Sequence, residues 1–132
     1  MEITYKDSKD IKPEDISRVF MTSGIKRPYQ DLDRLERMLQ NSDIVITAWQ
    51  DEKMIGIARA LTDYSYCCYL SDLAVDLDYQ KRGIGQKLIN MVREKIGEES
   101  SLVLLSAPGA VNYYPKVGFA HNDRAFVIAR AK

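Results

Sequence analysis

Apolar residues recur three or four positions apart in three stretches of the chain, which is the spacing of one buried face of an α-helix. The first stretch, with Ile16, Val19 and Phe20, follows the sequence Pro13-Glu14-Asp15, whose proline and acids suit a first helical turn. The apolar positions of the other two stretches are Leu32, Leu35, Met38 and Leu39, and Ile84, Leu88, Met91, Val92 and Ile96. The pattern therefore predicts helices that begin near residues 13, 32 and 83.

The pattern between these helices is typical of β-strands. Residues 44–50 and 54–61 flank a polar turn and predict a hairpin, and residues 66–75 form the longest strand candidate. Because both faces of this long strand are largely apolar, we expect it to be central and covered on both sides. Three shorter strands, of which the second is expected to be buried, and one brief helix complete the prediction: residues 3–6, 102–105 and 125–129, and residues 110–117.

The predicted order of elements is β-α-α-β-β-β-α-β-α-β, and its strand-helix-strand steps indicate a partly parallel sheet. The fold class is therefore α/β, in the sense of a mixed α+β sheet protein. No repeat, low-complexity tract or linker divides the 132 residues. A chain of this length is about one domain, so we predict a single domain over residues 1–132.

Composition and charge exclude several classes of protein. With 45% hydrophobic and 29% charged residues, the chain has the composition of an ordinary soluble protein rather than a disordered or coiled-coil one. Nineteen basic residues balance nineteen acidic ones, which argues against a nucleic-acid partner. No signal peptide or membrane-spanning run is visible, so we expect a cytoplasmic protein without a membrane partner. Because His121 is the single histidine and the two cysteines are adjacent, we expect no metal site.

The sharpest chemical feature lies between the long strand and the third helix, and it reads Gln80-Lys81-Arg82-Gly83-Ile84-Gly85. Each glycine costs about 1 kcal/mol relative to alanine inside a helix, so two at a helix start call for a functional reason. Bare backbone N–H groups, the helix dipole and two cations together suit a phosphate or pyrophosphate. The alternative is a glycine-bearing turn with surface basic residues. The dinucleotide and Walker phosphate loops do not fit, since Leu88 replaces the third glycine of the first and the second has no matching run.

This loop, preceded by Leu73-Ala74-Val75-Asp76, resembles the acetyl-CoA signature of the GNAT (GCN5-related) N-acetyltransferases. A second segment, Asn112-Tyr113-Tyr114-Pro115-Lys116-Val117-Gly118-Phe119, is similar to that family's Asn-…-Tyr-x-x-x-Gly-Phe motif. The two motifs occur in the family's order and on the expected elements. The resemblance implies a GNAT-like fold with a splayed mixed sheet, and acetyl transfer from acetyl-CoA to a primary amine with CoA as product.

The resemblance also implies roles for individual residues. Backbone groups of Leu73, Ala74 and Val75 would pair with the pantetheine arm as an added strand. The pyrophosphate would lie on the loop and the first helical turn, and the implied cofactor-binding residues there are Gln80, Lys81, Arg82, Gly83, Ile84, Gly85 and Gln86. Asn112 would contact pantetheine, and Tyr114 would contact the sulfur and protonate the departing thiolate. Direct attack by the amine needs no metal and no enzyme nucleophile.

The general base is less well defined, because many family members carry a glutamate where this chain has Ser71 and Asp72. Asp72 is the candidate base that would deprotonate the amine. The alternative is that Asp72 has a structural role and water accepts the proton of the amine. For Tyr113 we expect aromatic packing. Two other functions remain open: a catalytically silent acyl-CoA-binding regulatory module, and a protein that uses the loop for another phosphorylated ligand. The acceptor, a small molecule or a peptide, is not specified by the sequence. Small members of the family are often dimers, so a homodimer is allowed.

Overall fold

A computed structural model of the protein describes residues 2–132. Up to residue 103, its helices and strands follow one another in the order that the sequence pattern predicts. In chain order they are β1 (Thr4–Asp7), α1 (Pro13–Ser23), α2 (Leu32–Gln40), β2 (Ile44–Gln50), β3 (Lys53–Thr62), β4 (Cys67–Val75), α3 (Ile84–Ile96) and β5 (Ser101–Val103). Among the described residues, no helix has the length and apolarity needed to cross a membrane.

The strands form one mixed sheet in the order β1-β2-β3-β4-β5. The first three pairings are antiparallel and the last, between β4 and β5, is parallel, which confirms the partly parallel sheet. β3 pairs with β4 over nearly the whole length of β4, from Thr62 opposite Cys68 to Gly56 opposite Val75. β5 pairs only with the start of β4, where Val103 lies opposite Tyr69. The second half of β4 therefore has no strand on its outer side within residues 2–132.

Helices cover both faces of this sheet. On one face, α1 buries its predicted stripe, in which Val19 and Phe20 have no exposed surface. α2 buries Leu35 and Leu39 there, but Leu32, predicted on the same stripe, is exposed. On the other face, α3 contributes Ile84, Leu88, Ile89, Val92 and Ile96 to a second cluster. Full burial of one such side chain stabilises the fold by about 1.5–3 kcal/mol. Because helices cover both faces of the sheet, its central strands are apolar on both sides.

A β-bulge interrupts the pairing of β3 with β4. Arg59 lies opposite Asp72 but Ala60 lies opposite Leu70, so Ser71 has no partner on β3. One extra residue reverses the in–out alternation of a strand. As a result Leu70 faces the α3 cluster, whereas Asp72 faces the same side as Arg59, towards α1 and α2.

The C-terminal part differs from the sequence prediction. β5 covers Ser101–Val103, and Val103 is about half exposed, so the expected buried strand over residues 102–105 is wrong in extent and burial. The predicted helix over residues 110–117 is replaced by two 3-10 turns, Pro108–Ala110 and Tyr114–Val117, because Pro115 cannot supply a helical N–H. Residues 125–129 form no strand, since they pair with no other strand in the described chain.

Candidate functional site

The glycine-containing loop joins the end of β4 to α3 through a short 3-10 turn, Leu77–Tyr79. The Gln80 side chain donates a hydrogen bond from Nε2 to the carbonyl of Val75 at 2.8 Å, which ties the loop to β4. The first helical bond of α3 runs from the Lys87 N–H to the Gly83 carbonyl at 3.0 Å. The N–H groups of residues 84–86, in the first turn of α3, therefore have no partner inside the helix and suit an anion.

The two glycines of the loop serve different geometric needs. Gly83 has φ +80° and caps the start of α3 in the left-handed region, which costs other residues roughly 1–2 kcal/mol. Lys81 also has a positive φ, 66°. At Gly85, a Cβ atom would lie 2.8 Å from the Tyr113 hydroxyl oxygen, so any side chain at this position would displace the Tyr113 ring. The loop is thus shaped for close approach of other groups to its backbone.

The other predicted cofactor residues surround this loop. The Ile84 side chain is buried in the core, so its backbone N–H is the group that could contact a cofactor. Arg82 lies over the Tyr79 ring at 5.5 Å, and the half-buried Gln86 donates to Asn90 Oδ1 at 3.0 Å. Asn112 lies on an exposed turn directly before the two tyrosines. The loop and the first turn of α3 follow directly from the part of β4 that β5 leaves uncovered, where Leu73, Ala74 and Val75 lie.

The two adjacent tyrosines form an aromatic group with Phe119. The Tyr114 ring makes edge-to-face contacts with Tyr113 at 5.2 Å and with Phe119 at 5.4 Å. Burial raises the pKa of Tyr114, neighbouring Tyr113 raises it further, and the Arg27 guanidinium lowers it. Burial also raises the pKa of Tyr113. Because the ordinary pKa is already near 10, Tyr114 carries its proton at neutral pH and is able to donate it.

Asp72 lies at the centre of a buried ionic group, and its side chain has no exposed surface. Its two oxygens accept hydrogen bonds from the Nε atoms of Arg27 and Arg59. Arg27 also donates to the Ser71 carbonyl at 2.8 Å, and Arg59 donates to Ser71 Oγ at 3.0 Å and Ser42 Oγ at 3.2 Å. The group fastens the loop between α1 and α2, which carries Arg27, to β4 at the bulge.

Sequence reasoning missed three of these contacts. Arg27 can be taken for a free cation of the α1–α2 loop, but its side chain is bound to Asp72. Arg59 carried a signal, since a lone cation in the apolar strand over residues 54–61 needs a buried acid as its partner. Tyr113, expected only to pack, places its hydroxyl against the loop at Gly85, and nothing in the local sequence indicates that direction.

The family can now be read from comparison with known proteins. The model of the acetyltransferase (GNAT) domain matches residues 8–129. The chain belongs to the GNAT acetyltransferase family. The match covers almost the whole chain, including both the loop after β4 and the tyrosine segment.

Two kinds of relative support this assignment. The uncharacterized N-acetyltransferase ycf52 of Pyropia yezoensis is 28% identical over 125 residues, which is 89% of this chain and 70% of the relative. A probable acetyltransferase from meticillin-resistant Staphylococcus aureus has the same fold, with a TM-score of 0.85, 19% identity and 99% of both chains covered. An aminoglycoside N-acetyltransferase, AAC(6')-Iy, whose structure was solved in complex with CoA, gives a TM-score of 0.75 at 17% identity, covering 99% of this chain and 96% of that one. This GNAT chain therefore has the family's fold over its whole described length.

Proposed function

We propose that this GNAT protein transfers the acetyl group of acetyl-CoA to a primary amine by direct attack in a ternary complex. The observation that supports this most is the outer edge of β4, which β5 leaves unpaired and which leads into the loop and the free end of α3. A long, thin ligand with a pyrophosphate at one end fits such an arrangement. Action in the cytoplasm, without nucleic acid or membrane, stays a prediction.

The cofactor is proposed to bind along this edge. Backbone groups of Leu73, Ala74 and Val75 pair with the amide groups of the pantetheine arm, as in addition of a strand to a sheet. The pyrophosphate lies on the backbone N–H groups of residues 81–86, and the charges of Lys81 and Arg82 add long-range attraction. Asn112 contacts the pantetheine arm. A solved GNAT relative in complex with CoA supports a CoA cosubstrate in general.

The proposed reaction needs two proton movements. The amine nitrogen attacks the thioester carbonyl carbon, the C–S bond breaks, and the sulfur leaves as a thiolate. Tyr114 donates its phenolic proton to this thiolate, and the amine loses a proton to water. Burial raises the pKa of Tyr114 above its ordinary value of about 10, so proton transfer to a thiolate with an ordinary pKa of about 8.5 is uphill, and the Arg27 guanidinium offsets part of this by favouring the phenolate.

Of the two candidate bases, Asp72 and water, we propose water. Both oxygens of Asp72 accept bonds from arginine, and its side chain has no exposed surface that an amine could reach. Asp72 is then a positioning residue. It holds Arg27, and with it the α1–α2 loop, beside the cleft, by which we mean the space along the second half of β4 that β5 leaves uncovered.

The proposal is tested by following release of free thiol from acetyl-CoA with a panel of amino acids, polyamines, aminoglycosides and peptides. We expect at least one amine to be acetylated, and we expect Tyr114→Phe to lower kcat by roughly 10²–10⁴-fold, the range for loss of a general acid. Tyr113→Phe is the matched control and keeps kcat. Because its hydroxyl lies at Gly85, any effect of that variant belongs in the KM for acetyl-CoA.

Two results would contradict the proposal. Stabilisation by CoA without thiol release for any amine would favour the acyl-CoA-binding regulatory module. Equal, small effects of the two tyrosine variants on kcat would remove Tyr114 as the proton donor.

The amine panel includes both anionic and cationic amines, so that a preference for anionic ones can be detected. A groove of about 390 Å3 beside the α1–α2 loop would favour such amines, because it is lined by Lys26, Arg34, Arg130 and Lys132.

A further inference from the structure

The groove beside the α1–α2 loop concentrates positive charge, although the chain as a whole has a net charge of zero. Five of its described lining residues are cations and none is an acid; the cations are Lys26, Arg27, Arg34, Arg130 and Lys132. Of these five, only Arg27 forms an ion pair within residues 2–132. Cations that surround one groove repel one another and raise the local concentration of anions. The groove therefore favours a ligand with negative charge.

The ionic group at Asp72 adds to this imbalance. Two guanidinium groups, those of Arg27 and Arg59, share the one carboxylate of Asp72, so within the described chain the group has one positive charge in excess. Arg59 is the more deeply buried of the two, whereas Arg27 also lines the groove. Three of the five N–H groups of Arg27 bond to other described residues, which leaves two for a ligand. Because a partly buried charge is costly without a partner, an anion in the groove would complete the group at Arg27.

The wall of the groove is fixed by hydrogen bonds on both sides of the loop. The Ser17 hydroxyl of α1 donates to the Tyr29 carbonyl at 2.5 Å. Asp31 caps α2, since its side chain accepts a bond from the Arg34 backbone N–H at 3.1 Å, and this nearby acid is thereby directed to the helix. The Arg34 guanidinium donates to the Lys132 carbonyl at 3.1 Å, so it already binds an oxygen atom at the groove. Arg34 and the anchored Arg27 are thus held in place before a ligand arrives, which lowers the entropy cost of binding.

The groove borders the reacting end of the proposed cofactor site. In the proposed complex the pantetheine arm pairs with residues 73–75 and the pyrophosphate lies on the loop that follows, so the thioester lies at the end of the arm near Leu73. Asp72 directly precedes Leu73, and Arg27 binds both Asp72 and, at 2.8 Å, the Ser71 carbonyl. The charge of Arg27 also acts on the proposed proton donor, because it lowers the pKa of Tyr114. A ligand held at Arg27 is therefore on the side of the loop where acetyl transfer would take place.

We propose that the groove binds a small primary amine that also carries a carboxylate or phosphate, that Lys26, Arg27 and Arg34 bind this anionic group, and that this amine is the acetyl acceptor. The inference names the acceptor class for the proposed acetyl transfer and rests on it for the reaction. A groove of about 390 Å3 is at the lower end of the range for small-molecule sites, roughly 300–1,000 Å3, so the class is that of amino acids and small amino phosphates. The surrounding cations also lower the pKa of the bound amine, which favours its neutral, nucleophilic form and suits water as the base. Polyamines and aminoglycosides, which carry only positive charges, are repelled.

The first test measures binding without turnover, by calorimetry of the full chain in the presence of CoA. Each α-amino acid is compared with its amide, and phosphoethanolamine with ethanolamine. We expect at least one anionic amine to bind about tenfold or more tightly than its neutral partner, since two or more ion pairs contribute, and we expect the difference to shrink at high salt. The double variant Lys26→Glu, Arg34→Glu should remove the difference. Lys26→Glu alone, which keeps the bond from Arg34 to the Lys132 carbonyl, should reduce it. Arg37→Glu is the matched control, because Arg37 is an exposed cation of α2 outside the groove, and it should keep the difference.

The second test measures kcat/KM for the same pairs of amines, for polyamines and for aminoglycosides, by release of free thiol from acetyl-CoA. We expect anionic amines to be the best acceptors and polycationic ones the poorest, and we expect the double variant to raise KM for the anionic amine about tenfold without a change in KM for acetyl-CoA. Best turnover of a neutral or polycationic amine would overturn the inference and leave acetyl transfer intact. Charge-dependent binding without turnover of any amine would support the groove as the binding site and contradict acetyl transfer. Equal binding of the two members of every pair would overturn the inference.

Discussion

Replacement of Asp72 by asparagine separates an anchoring role from a catalytic one. The Asn side chain keeps the size of the carboxylate but removes its charge and turns an NH2 group towards one of the two guanidinium groups. Arg59 and Arg27 then lose their shared counter-charge, and their side chains are only 8% and 23% exposed. Water cannot fully replace the lost partner at this depth, so the cost falls mainly on folding.

The magnitude follows from this geometry. Removal of one partner from a buried ion pair typically costs about 3–5 kcal/mol, because an uncompensated charge stays buried. For a chain of this size, 1 kcal/mol corresponds to roughly 3–5 °C in Tm, so we expect a fall of about 10–20 °C. That loss is a large part of the 5–15 kcal/mol that stabilises an ordinary domain. The more disruptive Asp72→Ala variant is therefore less suitable for measurements of activity.

The assay combines urea unfolding with steady-state kinetics on the folded protein. We expect kcat of Asp72→Asn to keep the order of magnitude of the wild type while KM for the amine rises, because Arg27 no longer fastens the α1–α2 loop to β4. Asp76→Asn is the control. Asp76 is also buried, at 5% exposed, but it accepts a bond from the Asp78 backbone N–H at 2.9 Å, which asparagine can also accept. Its cost should be under about 1 kcal/mol.

An Asp72→Asn variant that unfolds within about 1 kcal/mol of the wild type, but whose kcat falls by 10²-fold or more, would contradict the anchoring role. That result would identify Asp72 as the base, since loss of a general base costs 10²–10⁴-fold in rate. A stability loss of the expected size with a normal kcat would leave water as the acceptor of the amine proton.

The remaining predictions concern the loop and a turn. CoA at a concentration of one hundred times its dissociation constant should stabilise the wild type by about 2.7 kcal/mol, or roughly 10 °C in Tm. Gly85→Val should abolish this thermal shift, and a shift that survives would place the pyrophosphate elsewhere. Lys81→Ala should weaken CoA by at most about fivefold, less at high salt, and complete loss of binding would contradict a backbone cradle. Hydrogen bonds from the N–H groups of Ser65, Cys67 and Tyr66 lower the pKa of Asp63 to about 2. Its stabilisation is therefore present above pH 4 and is lost as the pH falls towards 2, so the Tm difference between wild type and Asp63→Asn should shrink over that range; parallel profiles would contradict this account.

Much of the fold could be predicted from the sequence because its first three quarters follow local rules. The stripe of Ile16, Val19 and Phe20 has a single way to be buried, and a hairpin over residues 44–61 needs only neighbouring contacts. The loop at Gly83 was visible for the opposite reason, since its glycines conflict with the helix they begin. Local preference and its violation are both properties of short stretches, which a sequence displays directly.

The parts that could not be predicted depend on distant partners. Residues 125–129 have the pattern of a strand, but a strand forms only where another strand can accept its hydrogen bonds, and no pattern within five residues reports that. Arg27 has the sequence context of a solvated loop cation, and its partner Asp72 lies 45 residues later. Tyr113 has the context of a packing residue, and its contact at Gly85 depends on the path of the intervening chain.

The bulge at Ser71 connects these separate findings. Without the extra residue, the alternation of β4 that starts at Leu70 would turn Asp72 to the α3 face, where the surrounding cluster is apolar, and away from the face of Arg59. With it, the carboxylate meets both Arg59 on β3 and Arg27 on the α1–α2 loop, and the Ser71 carbonyl accepts a second bond from Arg27. The bulge lies just beyond the last residue of β4 that β5 pairs with, Tyr69. A single inserted residue thus marks where the cleft opens and fixes the loop that borders it, so deletion of Ser71 should disturb both sides of the proposed active site at once.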